Sequence, residues 1–221
     1  MTPYHDIIDE LLQHGTSTLC EASGLPCALD YAIRPVWQGA AVAGPAFPLR
    51  CAPGDNLAIH IAVDAVPPGH VLVVDAFGFV AGYWGEVLTV AAQARGIIGI
   101  IIDGGVRDVT ALENRKFPVF ARGIAMRGTV KCHAPSVGQP IIVANVVVSP
   151  GDLIVADADG VLSIPQNHVA RTMAGARKRT EKEAVTMKRL QEGETTLEIL
   201  GLTAHRLQRK EWLWLPFSTP G

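Results

Sequence analysis

The sequence has few of the signals that mark membrane or exported proteins. Its longest aliphatic runs, such as residues 97–102, fall far short of the ~20 residues that a membrane span needs. The N-terminal residues MTPYHDIIDELL are acidic and contain no apolar stretch of the signal-peptide kind. We therefore expect a cytoplasmic protein with no membrane partner.

The chain also lacks clustered metal or redox residues. Its four cysteines form no Cys-x-x-Cys pair, and its seven histidines are scattered without His-Glu-x-x-His spacing. A histidine-based zinc site is therefore not predicted. Cysteines that lack the regular spacing of a disulfide framework are typical of reduced thiols in a cytosolic protein.

Charge is low and balanced. Nineteen basic residues stand against 21 acidic ones, which gives a formal net charge of −2. The densest basic cluster, residues 177–179, lies beside Glu181 and Glu183, and this mixture of signs indicates a solvated helix face. Because no basic block has the density of a nucleic-acid footprint, we expect no nucleic-acid partner.

The sequence is rich in hydrophobic residues, which make up 48% of 221 positions, enough for one substantial core. Apolar strands at 70–75 and 97–102 flank a helical segment at 86–95, and a long helix is predicted over 167–192. This pattern predicts an α/β layer with an added β-meander, in a single domain over residues 1–221. Residues 205–221 form an aromatic C-terminal tail, expected to pack on the domain or on a neighbouring subunit.

The most informative stretch is residues 82–109, GYWGEVLTVAAQARGIIGIIIDGGVRDV. A glycine-rich loop runs there into the start of a predicted helix. The first N–H groups of a helix have no intrahelical partner, and the helix dipole is positive at that end, so this start can bind an anion. The predicted ligands of a substrate carboxylate are the main-chain amides of Gly85, Glu86, Val87 and Leu88.

Arg107 and Asp108 directly follow the second apolar strand. In an open α/β sheet, ligands bind at the carboxyl ends of the strands. The planar guanidinium of Arg107 is suited to hold a carboxylate-bearing substrate there. Glu86 and Asp108 would bring two acids to the same small site, a donor set that suits Mg²⁺ or Mn²⁺ with retained waters.

Simpler interpretations of these residues remain open at this point. Glu86 in a first helical turn would also complement the helix dipole, a contribution of about 0.3–1 kcal/mol. Arg107 and Asp108 would also form an ordinary surface pair of little energetic value. Asp157 and Asp159, near Gly160, are explained better by a turn than by a site.

The spacing of this stretch resembles that of a known family. Glu86, twenty intervening residues and then Arg107-Asp108 match the hallmark of the 4-hydroxy-4-methyl-2-oxoglutarate / 4-carboxy-4-hydroxy-2-oxoadipate aldolases. These class II pyruvate aldolases share a superfamily with the regulators of ribonuclease E activity. The resemblance covers roughly residues 15–200. The sequence departs from the family at Glu86, where the family more often carries Asp.

The resemblance implies a swivelling β/β/α fold of the phosphohistidine-domain type and a metal-dependent retro-aldol cleavage that yields pyruvate. It implies that Asp108 ligates Mg²⁺ or Mn²⁺ and that Glu86 holds a metal-bound water. Arg107 and the amides of residues 85–88 would bind the pyruvyl group. The family also uses an acid from an adjacent subunit, for which Glu183 is the candidate, in a homotrimer or homohexamer. Oxaloacetate decarboxylation is an expected side activity.

Two functional hypotheses follow from these observations. The first is a metal-dependent lyase that acts on a small oxo-acid substrate. The second is a non-catalytic oligomer that binds proteins, as the regulators of ribonuclease E activity do. The regulators lack the acid twenty-one residues before the arginine, and Glu86 occupies that position here. This residue favours the enzyme.

Overall fold

The computed structural model describes residues 4–206, so most of the aromatic tail predicted at 205–221 lies outside the described residues. The chain divides into two compact units, residues 1–177 and residues 178–221. Among the described residues, no helix is both long and apolar enough to cross a membrane.

Strands and helices alternate through the middle of the chain. The helices are α1 (Ile8–Ser23), α2 (Leu57–Ala65), α3 (Glu86–Ala94), α4 (Val109–Asn114), α5 (Val169–Gln191) and α6 (Thr196–Ile199). The strands are β1 (Arg34–Pro35), β2 (Val42–Arg50), β3 (Val71–Asp75), β4 (Gly99–Val106), β5 (Val119–Ile124), β6 (Ser136–Val137), β7 (Ile141–Val143), β8 (Val146–Val148), β9 (Leu153–Asp157) and β10 (Gly160–Ile164). The predicted segments 70–75, 86–95 and 167–192 correspond to β3, α3 and α5, which confirms them.

One sheet of the order β1-β5-β4-β3-β2-β9-β10 forms the centre of the first unit, with β6 paired to the end of β2. Strands β2 to β5 are parallel, and the pairs β1–β5, β2–β9 and β9–β10 are antiparallel. The two edges of the sheet approach each other, because Arg34 donates a hydrogen bond of 2.7 Å to the carbonyl of Asp159. The sheet is therefore a nearly closed barrel, and the predicted mixed α/β class is confirmed.

Side-chain alternation divides the core between the two faces of the sheet. Leu72, Val74 and Ile102 face helices α2 and α3, whereas Val73 and Ile101 face the hairpin formed by β7 and β8. Both faces are covered, which explains why β3 and β4 are continuous apolar runs rather than alternating ones. Helices α1 and α5 cover the antiparallel half of the sheet, over a third cluster of apolar side chains.

Helix α1 is kinked at Gly15, whose φ of 75° and ψ of 161° lie outside the helical region. Asp157 caps the segment after the kink, because its carboxylate accepts hydrogen bonds from the N–H and hydroxyl of Thr16 at 2.7 and 2.6 Å. The same carboxylate accepts from the N–H of Asp159 at 2.9 Å. The prediction that Asp157 and Asp159 serve a turn is thus confirmed.

The second unit contains the C-terminal part of α5 and the short helix α6. Helix α6 begins with a capping box between Thr195 and Glu198. Glu183 forms an ion pair with Arg179, one turn earlier on α5, with an N–O distance of 2.7 Å. This contact shows Glu183 as a helix-surface residue within its own chain.

Candidate active site

A cavity of about 280 Å³ lies where β4 ends and α3 begins. One wall comes from the 82–88 segment and from the two residues that follow β4. The other comes from α2 and from residues 128–131. The lining residues are Asn56, His60, Gly82, Tyr83, Gly85, Val87, Leu88, Arg107, Asp108, Gly128, Thr129 and Lys131. Five of the six predicted substrate or metal residues, all except Glu86, line this one cavity.

Two buried aromatic residues fix the loop that forms the first wall. The hydroxyl of Tyr83 accepts a hydrogen bond from the N–H of Gly54 at 2.6 Å, and its N–H donates to the carbonyl of Gly105 at 3.1 Å. The indole N–H of Trp84 donates to Thr89 at 2.7 Å, and the Trp84 carbonyl accepts from the N–H of Arg107 at 2.9 Å. Because both side chains are fully buried, the loop is held rigidly against the end of β4. Burial also raises the pKa of the Tyr83 phenol.

Asp108 links the end of β4 to the start of α3. Its backbone is left-handed, with φ 61° and ψ 36°, a conformation that aspartate tolerates better than most residues. The Oδ2 atom accepts a hydrogen bond of 2.9 Å from the N–H of Glu86. Gly85 makes this approach possible, since a Cβ atom there would collide with Asp108 Oδ2 and come within 3.1 Å of Arg107 Cγ.

The first turn of α3 leaves two main-chain N–H groups unbonded within residues 4–206, fewer than the four amides that the sequence suggested as ligands. The N–H of Glu86 is already bonded to Asp108. Val87 and Leu88 line the cavity, and their N–H groups have no hydrogen bond within residues 4–206. These two amides and the positive end of the α3 dipole are therefore the donors that remain for a carboxylate.

Arg107 extends along the glycines of the first wall. Its Cδ atom lies 3.0 Å from where a Cβ of Gly82 would stand. Its side chain is about half exposed, and its Nε lies 3.9 Å from Asp108 Oδ2, too far for a strong ion pair. Most of the hydrogen-bonding capacity of this guanidinium is thus available to a ligand.

Glu86 does not line the cavity in this structure. Its Oε1 accepts hydrogen bonds from Nε and Nη2 of Arg115, which follows α4, at 3.0 and 2.8 Å. The pair is partly exposed, with 37% of the Arg115 side chain and 46% of the Glu86 side chain accessible. The family resemblance implies that Glu86 holds a metal-bound water. For that role, its carboxylate would have to turn away from Arg115.

The donor set fits a divalent ion that keeps most of its waters. No group of three or more His, Cys, Asp or Glu side chains within residues 4–206 could by itself hold a metal. Asp108 has an oxygen, Oδ1, with no hydrogen bond to the described part of the chain. Mg²⁺ is commonly bound by one or two carboxylates, water and substrate oxygens, and a single free carboxylate oxygen fits this mode.

Asp103, on β4 four residues before Arg107, pairs with a different arginine. Its carboxylate forms a hydrogen-bonded ion pair with Nε of Arg122, whose Nη2 lies 3.7 Å from Asp30. These contacts raise the pKa of Arg122. Asp103 therefore stabilises the neighbouring strand β5 and not the candidate site.

Sequence reasoning missed the second wall of the cavity. Nε2 of His60 is buried and has no hydrogen-bond partner within residues 4–206. Oδ1 of Asn56 is also buried and has no hydrogen-bond partner within the same residues. Asn56, His60 and Lys131 are distant in sequence from residues 82–109 and belong to no motif, so only the fold brings them to the site.

Comparison with known proteins places this geometry in a family. Residues 9–163, more than half of the chain, match the family described as RraA-like: Aldolase/RraA. The chain belongs to the RraA-like family. This RraA-like chain is 34% identical over 175 residues to the "Putative 4-hydroxy-4-methyl-2-oxoglutarate aldolase" of Halalkalibacterium halodurans. That alignment covers 79% of this chain and 83% of the relative.

Solved structures of the same RraA-like fold include two with a TM-score of 0.75. An uncharacterized protein from Pseudomonas syringae pv. tomato is 28% identical, with 88% of this chain and 96% of that chain covered. Streptomyces coelicolor RraAS2, an unusual member of the RNase ES inhibitor RraA protein family, is 25% identical, with 83% and 98% covered. The relatives of this RraA-like chain thus include both named aldolases and named inhibitors.

Proposed function

We propose that this protein is a divalent-metal-dependent aldolase that cleaves a 4-hydroxy-2-oxo acid, of the 4-hydroxy-4-methyl-2-oxoglutarate type, to pyruvate and a second oxo acid. The observation that carries the proposal is one cavity lined by Arg107, Asp108 and the free amides of Val87 and Leu88. Together they offer anion donors, a permanent cation and a free carboxylate oxygen at one position.

The residues of the first wall have separate tasks in the proposed reaction. The amides of Val87 and Leu88 bind the C1 carboxylate of the substrate at the positive end of α3. Negative charge grows on the 2-oxo oxygen as the C3–C4 bond breaks, and Arg107 stabilises it with a guanidinium that never deprotonates. A divalent ion held by Asp108 would act as a Lewis acid on the same oxygen.

Acid–base roles go to Glu86 and to Glu183 from an adjacent copy of the chain, in a homotrimer or homohexamer. Both carboxylates now pair with arginines of their own chain, Arg115 and Arg179. Partly exposed pairs of this kind are worth only about 0–1 kcal/mol, so either carboxylate can be redirected at small cost.

Oxaloacetate decarboxylation would follow from the same stabilisation of charge on the 2-oxo oxygen. We also propose a cytoplasmic location.

Pyruvate release, coupled to lactate dehydrogenase, tests the proposal. The substrates are 4-hydroxy-4-methyl-2-oxoglutarate and oxaloacetate, with and without Mg²⁺ or Mn²⁺. Arg107→Lys and Asp108→Asn are each expected to lower kcat/KM by about 100-fold or more, the usual effect of losing a charge that acts in the transition state. Arg95→Lys and Asp64→Asn alter an exposed ion pair elsewhere and serve as matched controls.

A second candidate function is a protein-binding regulator, because the inhibitor RraAS2 is among the structural neighbours. Metal-dependent pyruvate release that both site variants abolish would contradict it. Absence of turnover with every oxo acid, together with absence of Mn²⁺ binding in a calorimetric titration, would instead favour the regulator. Glu86 supports the aldolase, since the regulators lack an acid at that position.

A further inference from the structure

The second wall of the candidate site contains polar groups that the proposed mechanism leaves unused. Asn56 is the residue before α2, and His60 lies one turn further along that helix. The 128–131 segment is fastened to the same helix start, because the N–H of Asn56 donates to the carbonyl of Val130 at 3.0 Å. Asn56, His60 and Lys131 thus form one group, the second-wall group, on elements distinct from those of the first wall.

Two members of this group have buried polar atoms without a hydrogen-bond partner among residues 4–206. Asn56 is only 4% exposed, and its Nδ2 donates to the carbonyl of Tyr83 at 3.0 Å. That bond orients the amide and leaves Oδ1 as an unsatisfied acceptor at the cavity wall. Nε2 of His60 is also unsatisfied. Buried polar atoms are rarely left unpaired in folded proteins, so such a pair in a cavity wall indicates a polar ligand.

The charge of the cavity points to the kind of ligand. Lys131 is exposed and has no ion pair within residues 4–206, and Arg107 has only the distant Asp108. The lining therefore carries two under-compensated cations against one carboxylate. Burial and the nearby charge of Lys131 lower the pKa of His60, so its imidazole is neutral at neutral pH and can donate one hydrogen bond.

We propose that Lys131 and His60 bind the distal carboxylate of the substrate, and that Asn56 Oδ1 accepts a hydrogen bond from its C4 hydroxyl. Together they restrict the enzyme to dicarboxylic 4-hydroxy-2-oxo acids. This inference rests on the proposed aldolase function. The α3 amides and Arg107 bind the C1 carboxylate and the 2-oxo oxygen, which all 2-oxo acids share, whereas the second-wall group distinguishes the substituents beyond C4.

A matched pair of substrates tests this assignment. 4-Hydroxy-2-oxoglutarate and 4-hydroxy-2-oxopentanoate differ only in a carboxylate that replaces a methyl group beyond C4. The wild-type enzyme should prefer the first. Lys131→Met should lower kcat/KM for 4-hydroxy-2-oxoglutarate by about 10- to 100-fold, because a hydrogen bond to a charged group is lost. It should change kcat/KM for 4-hydroxy-2-oxopentanoate little. Lys131→Arg should retain most of the preference. Lys116→Met, outside the cavity, is the matched control.

The outcomes separate this inference from the proposed function. Suppose that cleavage occurs but Lys131→Met leaves the substrate preference unchanged, or lowers kcat/KM equally for both substrates. The second-wall assignment is then wrong, while the proposed aldolase function is still supported. If no cleavage occurs, binding is measured instead, by calorimetric titration of 2-oxoglutarate and 2-oxopentanoate in the presence of Mg²⁺. A preference for 2-oxoglutarate that Lys131→Met removes supports the subsite, and equal affinities for the two compounds overturn it.

Discussion

Gly85 is the residue on which the geometry of the candidate site depends most directly. Any side chain there would collide with Asp108 Oδ2 and press on the Cγ of Arg107. We predict that Gly85→Ala displaces both residues and lowers kcat/KM for pyruvate release by at least about 100-fold, because it removes two site contacts at once. Thermal unfolding should show that the variant remains folded, since only the cavity wall must move.

Gly123→Ala is the control for this substitution. A Cβ at Gly123 meets Val80 at 3.4 Å, an ordinary van der Waals contact, and no backbone strain opposes it. Unchanged activity in Gly85→Ala would show that Asp108 and Arg107 need not hold the positions described here. Equal losses in the two variants would point to a general effect on the sheet.

The sequence could predict that residues of one contiguous stretch lie together, but it could not predict contacts that only the fold creates. The loop-to-helix transition at Gly85, followed by Arg107 at a strand end, predicted the first wall from local rules. Glu86 illustrates the limit, because its partner Arg115 lies 29 positions later and no local pattern indicates that contact. The partner of Asp103 was unpredictable for the same reason.

At the scale of elements, Asp55 connects α2 to the segment that carries Lys131. Its carboxylate accepts hydrogen bonds from the N–H of Leu57 at 2.9 Å, Cys132 at 2.7 Å and His133 at 2.8 Å. Burial alone would raise the pKa of this carboxyl, but the three N–H donors outweigh that effect and hold the pKa below the ordinary value of an aspartate. The charged form is therefore the one that joins these two elements.

This contact leads to a prediction about pH. A carboxyl whose pKa is lower in the folded state stabilises the protein fully above its unfolded pKa, and this stability is lost as the pH falls through the folded pKa. Asp55→Asn should therefore lower the urea midpoint at pH 7 and weaken its decline below about pH 5. Asp64→Asn, which alters an exposed side chain, should leave the curve nearly unchanged. Parallel curves for wild type and Asp55→Asn would contradict the assignment.

The elements themselves followed from sequence because their signals are local and strong. Apolar runs predicted β3 and β4, and the helical segment predicted at 86–95 ends one residue beyond α3. What could not be predicted is the closure of the sheet, in which Arg34 meets Asp159 across 125 positions. The position of the 128–131 segment against α2 likewise depends on long-range contacts, which is why the second wall was missed.

At the scale of the whole molecule, the apolar stripe of α5 suggests an interface between copies. Val169, Met173 and Ala176 are buried, whereas Met187, five helical turns after Val169 and therefore on the same face of α5, is 56% exposed. We predict that Met187→Glu shifts the protein from the proposed trimer or hexamer to monomers, measured by light scattering after size exclusion. Met126→Glu places the same charge at another exposed methionine and should leave the mass unchanged. A monomeric wild type would contradict the oligomer.

A further prediction concerns Glu183, which we propose completes the active site of an adjacent copy of the chain. If each site combines Asp108 of one copy with Glu183 of another, Asp108→Asn and Glu183→Gln should each abolish turnover alone. Co-refolding the two variants creates some interfaces in which both residues are native, so part of the activity should return. Glu181→Gln, two residues away on the same helix, is the matched control and should be active alone. If Glu183→Gln keeps full activity, the acid does not complete the site. If both variants are inactive and mixing restores nothing, both residues act within one chain.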